Sequence, residues 1–396
     1  SVIAGLTSVG TDVICVGRVT TPTVQQMISA HHAKGGVVVT ASHNPVQWNG
    51  IKLMNETGSF LTKDEFDAFL SHYDSDQIES VAWPEIGAVS YDDDALSKHI
   101  DKILSCIDVS VIKDANLNIL VDANNGTGAL ADPILLDKLG VRYTILNPES
   151  HGRFAHDPEP LKQNLSEIIA ELSNGDYDIG FVQDADADRL VILDETGHFI
   201  GEDNSLAFCV DHILGHEEAN VTNKQVVVNL STSNVIQFMA EKYNATLFQT
   251  KIGEPNVTAK LKEVSATVGG EGNGGVIYPK IGWGRDSLVG IVVALKHLAM
   301  SQKKVSDVIK TYPKFIMVRD KFTVSSREQV QQFLDQVKTQ FQDEKCNTED
   351  GVKVIFENAW LHARPSNTEP IVRIFVEAPN QEIADQILEK VGKISH

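Results

Sequence analysis

The sequence predicts an α/β fold: three tandem similar α/β domains plus a C-terminal α+β domain around a central cleft. Three observations carry that expectation. At 396 residues the chain is too long for one hydrophobic core. Three segments share one layout: DVICVGRVTTPTVQQMISAHHAKGGVVVTAS, NILVDANNGTGALADPILLDKLGVRYTILN and QVVVNLSTSNVIQFMAEKYNATLFQT each read as a short apolar strand, a turn rich in Gly, Ser, Thr or Asn, an amphipathic helix and a second strand. Their first strands begin near Val13, Ile119 and Val226, so the pattern returns about every 106 residues, an ordinary domain length. Beyond about Tyr312 the strands KFIMVRDKFTV, VKVIFE, AWLHARP and PIVRIFVEAP follow one another around the helical SREQVQQFLDQVKTQF, as in an α+β module.

The opening SVIAGLTSVGTDVICV reads as the tail of a helix feeding a strand, entered without its partner strand, so Ser1 is not expected to be the original start. Joints are expected at YDDDALSKHIDKILSCIDVS, around Gly201 and at TYPKF, giving domains 1–108, 109–200, 201–313 and 314–396. None is a long linker, so the domains are expected to share one cleft.

Hydrophobic content of 42% and charged content of 22% are ordinary for a soluble fold, and no apolar run approaches the length that crosses a bilayer. A formal charge of −20 argues against a nucleic-acid partner and requires any anionic ligand to be held by a local basic cluster. Cys15, Cys106, Cys209 and Cys346 lie far apart with no zinc-like spacing, which fits a reducing cytoplasm.

Four stretches carry polar chemistry. In VVVTASHNPVQWNGIK, Ser42 follows a strand, at the end where α/β sheets present ligand-binding groups. Ser42, Asn44 and Pro45 can equally serve as a turn only; against this, the Asn49-Gly50 turn can fold Lys52 back toward the serine as a cation and proton donor. In QDADADRLVIL, Asp184, Asp186 and Asp188 alternate with alanines after a strand, so three carboxylates can converge on one hard cation, with Arg189 beside them. Glu195 completes an EF-hand-like spacing, but Arg189 stands where that loop needs glycine and the flanks read as strands. GGEGNGGVIYP opens the backbone around Glu271 and Asn273, a carboxylate and an amide able to meet adjacent sugar hydroxyls, although a glycine-rich turn can be purely structural. HARPSNTEPIVRIF offers Arg364, Ser366, Asn367 and Thr368, suited to a phosphate dianion or simply a proline-led turn.

Together and in this order, TASHNP, DADADR, GEGNGG and RPSNTEP resemble the α-D-phosphohexomutase family over essentially the whole chain. The resemblance implies four domains around a deep cleft, one motif from each. It implies reversible phosphoryl transfer between the 1- and 6-positions of a hexose phosphate (glucosamine, mannose or glucose) through a phosphoserine and a 1,6-bisphosphate. Ser42 would carry the phosphoryl group, and Asp184, Asp186 and Asp188 would hold Mg2+ with it. Lys52 and Arg189 would be catalytic, and His43 would position rather than transfer protons. Glu271, Asn273, Lys251 and Arg285 would bind the sugar, and Arg364, Ser366, Asn367, Thr368 and Arg373 the distal phosphate. A glucose-1,6-bisphosphate-type activator, a monomer or homodimer, and no membrane or nucleic-acid partner complete the expectation.

Two departures stand out. Gly275 occupies the place of a histidine found in many members, so the proton shuttle assigned to that histidine is absent or supplied elsewhere. The family's usual opening, a glycine- and arginine-bearing loop with its strands, does not precede Ser1. A phosphosugar-binding protein without turnover stays open as an alternative, and a hydrolytic phosphatase as a weaker one.

Overall fold

The computed structural model describes residues 1–45, 47–75, 78–323, 326–366 and 371–392. In the first domain, β1 (Val13–Cys15) leads to the helix Thr21–Ala30, which starts where Thr20 accepts a hydrogen bond from the Thr23 amide and Pro22 sits in the first turn. Next come β2 (Gly35–Val39), β3 (Ile51–Asn55), the helix Lys63–Tyr73 and β4 (Val89–Tyr91). β1 pairs in parallel with β4 and β2 pairs antiparallel with β3, so the strands flanking the first helix belong to two separate two-stranded sheets.

The second and third domains are topological copies. β5 (Asn118–Asp122), β6 (Arg142–Leu146), β7 (Ile179–Gln183) and β8 (Leu190–Leu193) lie in the order β6-β5-β7-β8. β9 (Gln225–Asn229), β10 (Thr246–Thr250), β11 (Val268–Glu271) and β12 (Gly275–Ile277) lie in the order β10-β9-β11-β12. In each, three strands run parallel and the last returns antiparallel. The central strands IGFVQ and QVVVN are near-continuous apolar runs because helices cover both faces of a parallel sheet. The fourth domain is an antiparallel sheet of β13 (Ile316–Thr323), β14 (Lys345–Asn347), β15 (Val352–Ile355), β16 (Trp360–Pro365) and β17 (Ile371–Ala378), ordered β13-β17-β16-β15-β14.

One consequence organises the site. The hairpins β2–β3, β7–β8 and β11–β12 carry the serine, aspartate and glycine motifs, and Arg364 and Ser366 lie where β16 leads toward β17. Polar chemistry therefore sits where an antiparallel return strand lets the backbone leave and re-enter the sheet within a few residues.

One apolar core is shared by the second and third domains, including Leu135, Phe181, Phe208 and Ile291, and each adds a smaller one on its other sheet face, around Leu172 and around Leu261; the fourth has its own around Val337, Val354 and Val376 and the first a small one of Ile28, Val38 and Met54. Within the stretch 91–110 the chain folds into a helix, Ala95–Cys106, because its apolar residues recur at helical spacing and bury Ile100 and Ile103 in the shared core. That helix also carries a buried polar chain. Thr23 Oγ1 lies 2.9 Å from His99 Nδ1, and His99 Nε2 lies 2.8 Å from Asp286, whose other oxygen caps the helix Ser287–Ser301. The chain ties the first domain to the third. His99→Ala is expected to lower stability by about 1–3 kcal/mol for each buried group left unpaired, read from urea unfolding with an unchanged far-UV spectrum.

Candidate active site

The loop between β7 and β8 is the most heavily buried polar segment at the cleft. Asp184 Oδ1 accepts from the backbone amides of Asp188 and Arg189, each at 3.1 Å, which wraps the loop around its own carboxylate. Ala187 takes a left-handed backbone conformation (φ 55°), so the chain curls and carries the three aspartates inward. One carboxylate oxygen from each of Asp184, Asp186 and Asp188 lies within 4.8 Å of the other two, and all three residues are buried.

Other domains reach this loop. Thr21, at the start of the first domain's helix, donates its hydroxyl to Asp186 at 2.5 Å, and its amide donates to the Asp186 carbonyl at 3.0 Å. Lys52, on β3, places its ammonium 2.6 Å from Asp186 and 2.9 Å from Asp188. Ser42, in the left-handed region (φ 51°), donates its hydroxyl to Asp184 Oδ2 at 3.1 Å. Arg285, from the third domain, spans Asp188 (2.9 Å), Glu254 (2.8 Å) and Glu271 (3.0 Å) with its three guanidinium nitrogens.

Charge decides what this cluster can hold. The linked network contains the five buried carboxylates Asp184, Asp186, Asp188, Glu254 and Glu271 against the three cations Lys52, Arg189 and Arg285, a surplus of two negative charges when every carboxyl is ionised. Burial, with Asp188 and Asp186 adding to it, raises the Asp184 carboxyl well above its ordinary range, and burial likewise raises Glu254. Burial would raise Asp188 too, but Arg285 and Lys52 outweigh it and hold that group low. The Oδ1 atoms of Asp186 and Asp188 are buried without a hydrogen-bond partner. Unpartnered carboxylate oxygens beside an excess of two negative charges fit one hard divalent cation.

His43 and Lys52 are constrained more tightly than the sequence indicates. His43 Nε2 lies 3.4 Å from Arg189 Nη2, which can only donate, so Nε2 accepts and the ring proton sits on Nδ1, 3.4 Å from Ser42 Oγ. Burial and then Arg189 lower His43 to about 3. A neutral ring already protonated on the serine side orients Ser42 and cannot take its proton. For Lys52, burial opposes the charge, but Asp188 and Asp186 outweigh it and raise the ammonium above its ordinary value. In this arrangement it stands as a cation beside the aspartates.

A cleft of about 910 Å3 runs from His43 and Arg189 past Glu271, Gly272 and Asn273 to Arg364 and Arg373. Ser42 itself lines an adjoining cavity of about 330 Å3, with Arg18, Asn44 and Trp48. In the sugar loop, Glu271 Oε1 accepts from Asn229 (2.9 Å) and from the Gly253 amide (3.0 Å), so only its remaining lone pairs are available to a ligand. Arg285 lines the cleft, and its guanidinium also ties Asp188, Glu254 and Glu271 together. Lys251 is exposed where β10 ends, and the residues lining the cleft there are Ile252 and Gly253. A Cβ at Gly275 would come within 2.2 Å of Arg285 Cδ, so the arginine stem fills the space that a side chain at this position would need.

The far wall comes from the fourth domain. Arg364 on β16 is directly opposite Arg373 on β17, which is opposite Lys321 on β13, and all three line the cleft. Arg364 Nε is 3.3 Å from Asp350, yet too poorly aligned to hydrogen-bond. Like charges facing one another across strands destabilise a sheet, and a row of three suits a phosphate. Lys321 escaped the sequence reading because only strand register brings it beside Arg373. Ser366 is described, whereas Asn367 and Thr368 lie outside the described residues. Arg285→Met is expected to cost about 3–5 kcal/mol, because it strands three buried carboxylates; thermal and urea unfolding check it.

Known proteins share this arrangement. The phosphoglucomutase/phosphomannomutase family matches in four consecutive parts: its alpha/beta/alpha domains I, II and III over residues 1–78, 97–197 and 201–315, and its C-terminal domain over 317–394. A phosphoglucomutase/phosphomannomutase of Thermococcus kodakarensis is 36% identical over 390 residues, covering 98% of this chain and 84% of its own. A phosphoglucosamine mutase of Methanococcus maripaludis is 30% identical over 396 residues, with 98% and 86% covered. The crystal structure of a family protein from Burkholderia thailandensis shares the fold at a TM-score of 0.84 and 24% identity, over 98% of this chain and 84% of that one. With all four parts present in order and relatives aligned across nearly the full sequence, the chain belongs to the phosphoglucomutase/phosphomannomutase family and is a phosphohexomutase.

Proposed function

We propose that the protein moves a phosphoryl group reversibly between the 1- and 6-positions of a hexose phosphate, with Ser42 as the carrier and a hexose 1,6-bisphosphate as the intermediate. The observation that carries this reading is the 3.1 Å approach of Ser42 Oγ to Asp184, beside a cleft whose opposite wall bears Lys321, Arg373 and Arg364. One end of the cleft suits a reacting phosphate and the other an idle one.

In the phosphorylated enzyme, the P–Oγ bond of Ser42 breaks as a sugar hydroxyl oxygen bonds to phosphorus, and the hydroxyl's proton passes to the departing Ser42 Oγ, which regains its O–H. The bisphosphate turns end over end, and its other phosphate returns to Ser42. The cation row holds whichever phosphate is distal, and Asn273 and the free lone pairs of Glu271 meet the sugar between them. Lys52 and Arg189 place fixed positive charge where the transferring group gathers negative charge, and His43 orients the serine oxygen from Nδ1. Magnesium is the cation assigned to the three aspartates, and when bound it neutralises charge on the transferring phosphoryl group. A hexose 1,6-bisphosphate loads Ser42 at the outset. The same reading places the protein in the cytoplasm, acting on a glucosamine phosphate. The name of the Methanococcus maripaludis relative supports that sugar.

Ser42→Ala is expected to abolish isomerisation while leaving the unfolding midpoint within a degree or so, and the wild type to carry a phosphate that peptide mass analysis maps to Ser42. Comparison of glucosamine, mannose and glucose phosphates should rank the first highest. Residual turnover in Ser42→Ala would exclude the carrier role, and ligand binding without turnover in the wild type would favour a sugar-phosphate binding protein.

The metal makes a separate prediction with a definite sign. Asp184 is raised, so without a cation the folded state holds its proton more tightly than the unfolded chain and loses stability as the pH climbs above 3.8. A bound cation displaces that proton. Magnesium should therefore raise the melting temperature by an increment that grows with pH, and Asp186→Asn should remove most of the increment.

A further inference from the structure

Away from the cleft, three histidines from two helices turn their rings toward one another. His212 ends the helix Glu202–His212, which continues as a π-helical turn, Ile213–Glu217. His216 lies four residues on, the spacing that puts two side chains on one helical face. His297 comes from the adjacent helix Ser287–Ser301. One ring nitrogen from each lies within 4.8 Å of the other two.

The spacing and the surroundings both suit a metal. The Nδ1 atoms of His212 and His297 are 3.3 Å apart. Two nitrogens bound to zinc at ordinary lengths and a tetrahedral angle are about 3.3 Å apart, so that edge is already set. Behind the cluster, His212 Nε2 lies 3.2 Å from Glu217, which is 2.5 Å from Lys296. With Nε2–H donating to that carboxylate, His212 Nδ1 keeps its lone pair toward His297, as in metal-bound histidines backed by a carboxylate. His212 and His297 are buried, and burial lowers both, His297 to about 4, so both rings are neutral near pH 7. His216 is exposed and gives an ion a way in.

We propose that His212, His216 and His297 form a binding site for one late first-row divalent ion, Zn2+ in particular, distinct from the acidic loop. Three imidazoles and a water make a tetrahedron, and nitrogen donors select Zn2+ over Mg2+. The site pins the two helices together about 15 Å along Ser287–Ser301 from the end that holds the acidic loop through Ser287.

The test is Zn2+ titration of the full chain in excess Mg2+, with zinc-edge X-ray absorption to count imidazoles, in the wild type, Asp186→Asn, His216→Ala and His297→Gln. Wild type and Asp186→Asn should each bind one Zn2+ with a three-imidazole signature. His216→Ala, at an exposed position, should weaken binding at least about tenfold with Mg2+-supported turnover unchanged, and His297→Gln should weaken it further. Absence of saturable Zn2+ binding, binding unaltered in His216→Ala, or binding lost in Asp186→Asn would each overturn the proposal, leaving the His212–His297 contact as a hydrogen bond.

Discussion

The arrangement of the first three domains depends on keeping three buried aspartates together. Like charges this close repel, and burial removes the water that would screen them. The fold answers with cations from different domains: Lys52 from the first, Arg189 from the loop itself and Arg285 from the third. Arg189 and Arg285 are buried and Lys52 is half-buried, and each would be costly without its carboxylates, so the network stabilises only as a set. Because the charges compensate across domain boundaries, the electrostatics that create the site also fix how those domains meet.

The same constraint explains why Gly275 and Arg285 belong together. Arg285 reaches Asp188, Glu254 and Glu271 by running its stem across the backbone of β12, and that path requires a residue without Cβ. A histidine at this position and an arginine along this path exclude one another sterically. In this chain the space is given to the charge tie.

The fourth domain solves the opposite problem. Its sheet sets Lys321, Arg373 and Arg364 side by side, a local positive field in a protein of net charge −20. The domain docks through contacts away from this row: Lys353 donates to the Leu230 carbonyl at 2.7 Å, His362 lies 2.8 Å from Ser231, and Glu377 accepts from the Asn234 amide at 2.9 Å. By strand alternation Lys353, His362 and Glu377 share a face with the row, so docking occupies one part of that face and leaves Lys321, Arg373 and Arg364 lining the cleft.

Much was legible in the sequence because it is local. The α/β repeat shows in apolar runs and turn residues, and Ser42, Asp184, Asp186, Asp188, Glu271 and Arg364 each stand in short stretches whose composition betrays a polar loop at a strand end. What tertiary structure alone decided are relations between distant residues: that Lys52 pairs with Asp186 and Asp188, that Arg189 forces the His43 tautomer, that Arg285 ties three carboxylates, and that Lys321 stands beside Arg373 on the cleft wall. A residue's type and neighbours set which charges and donors it can offer, but its protonation and partner depend on burial and on groups far along the chain, 142 positions for Ser42 and Asp184 and 187 for His99 and Asp286, and those are fixed only when the domains close on one another.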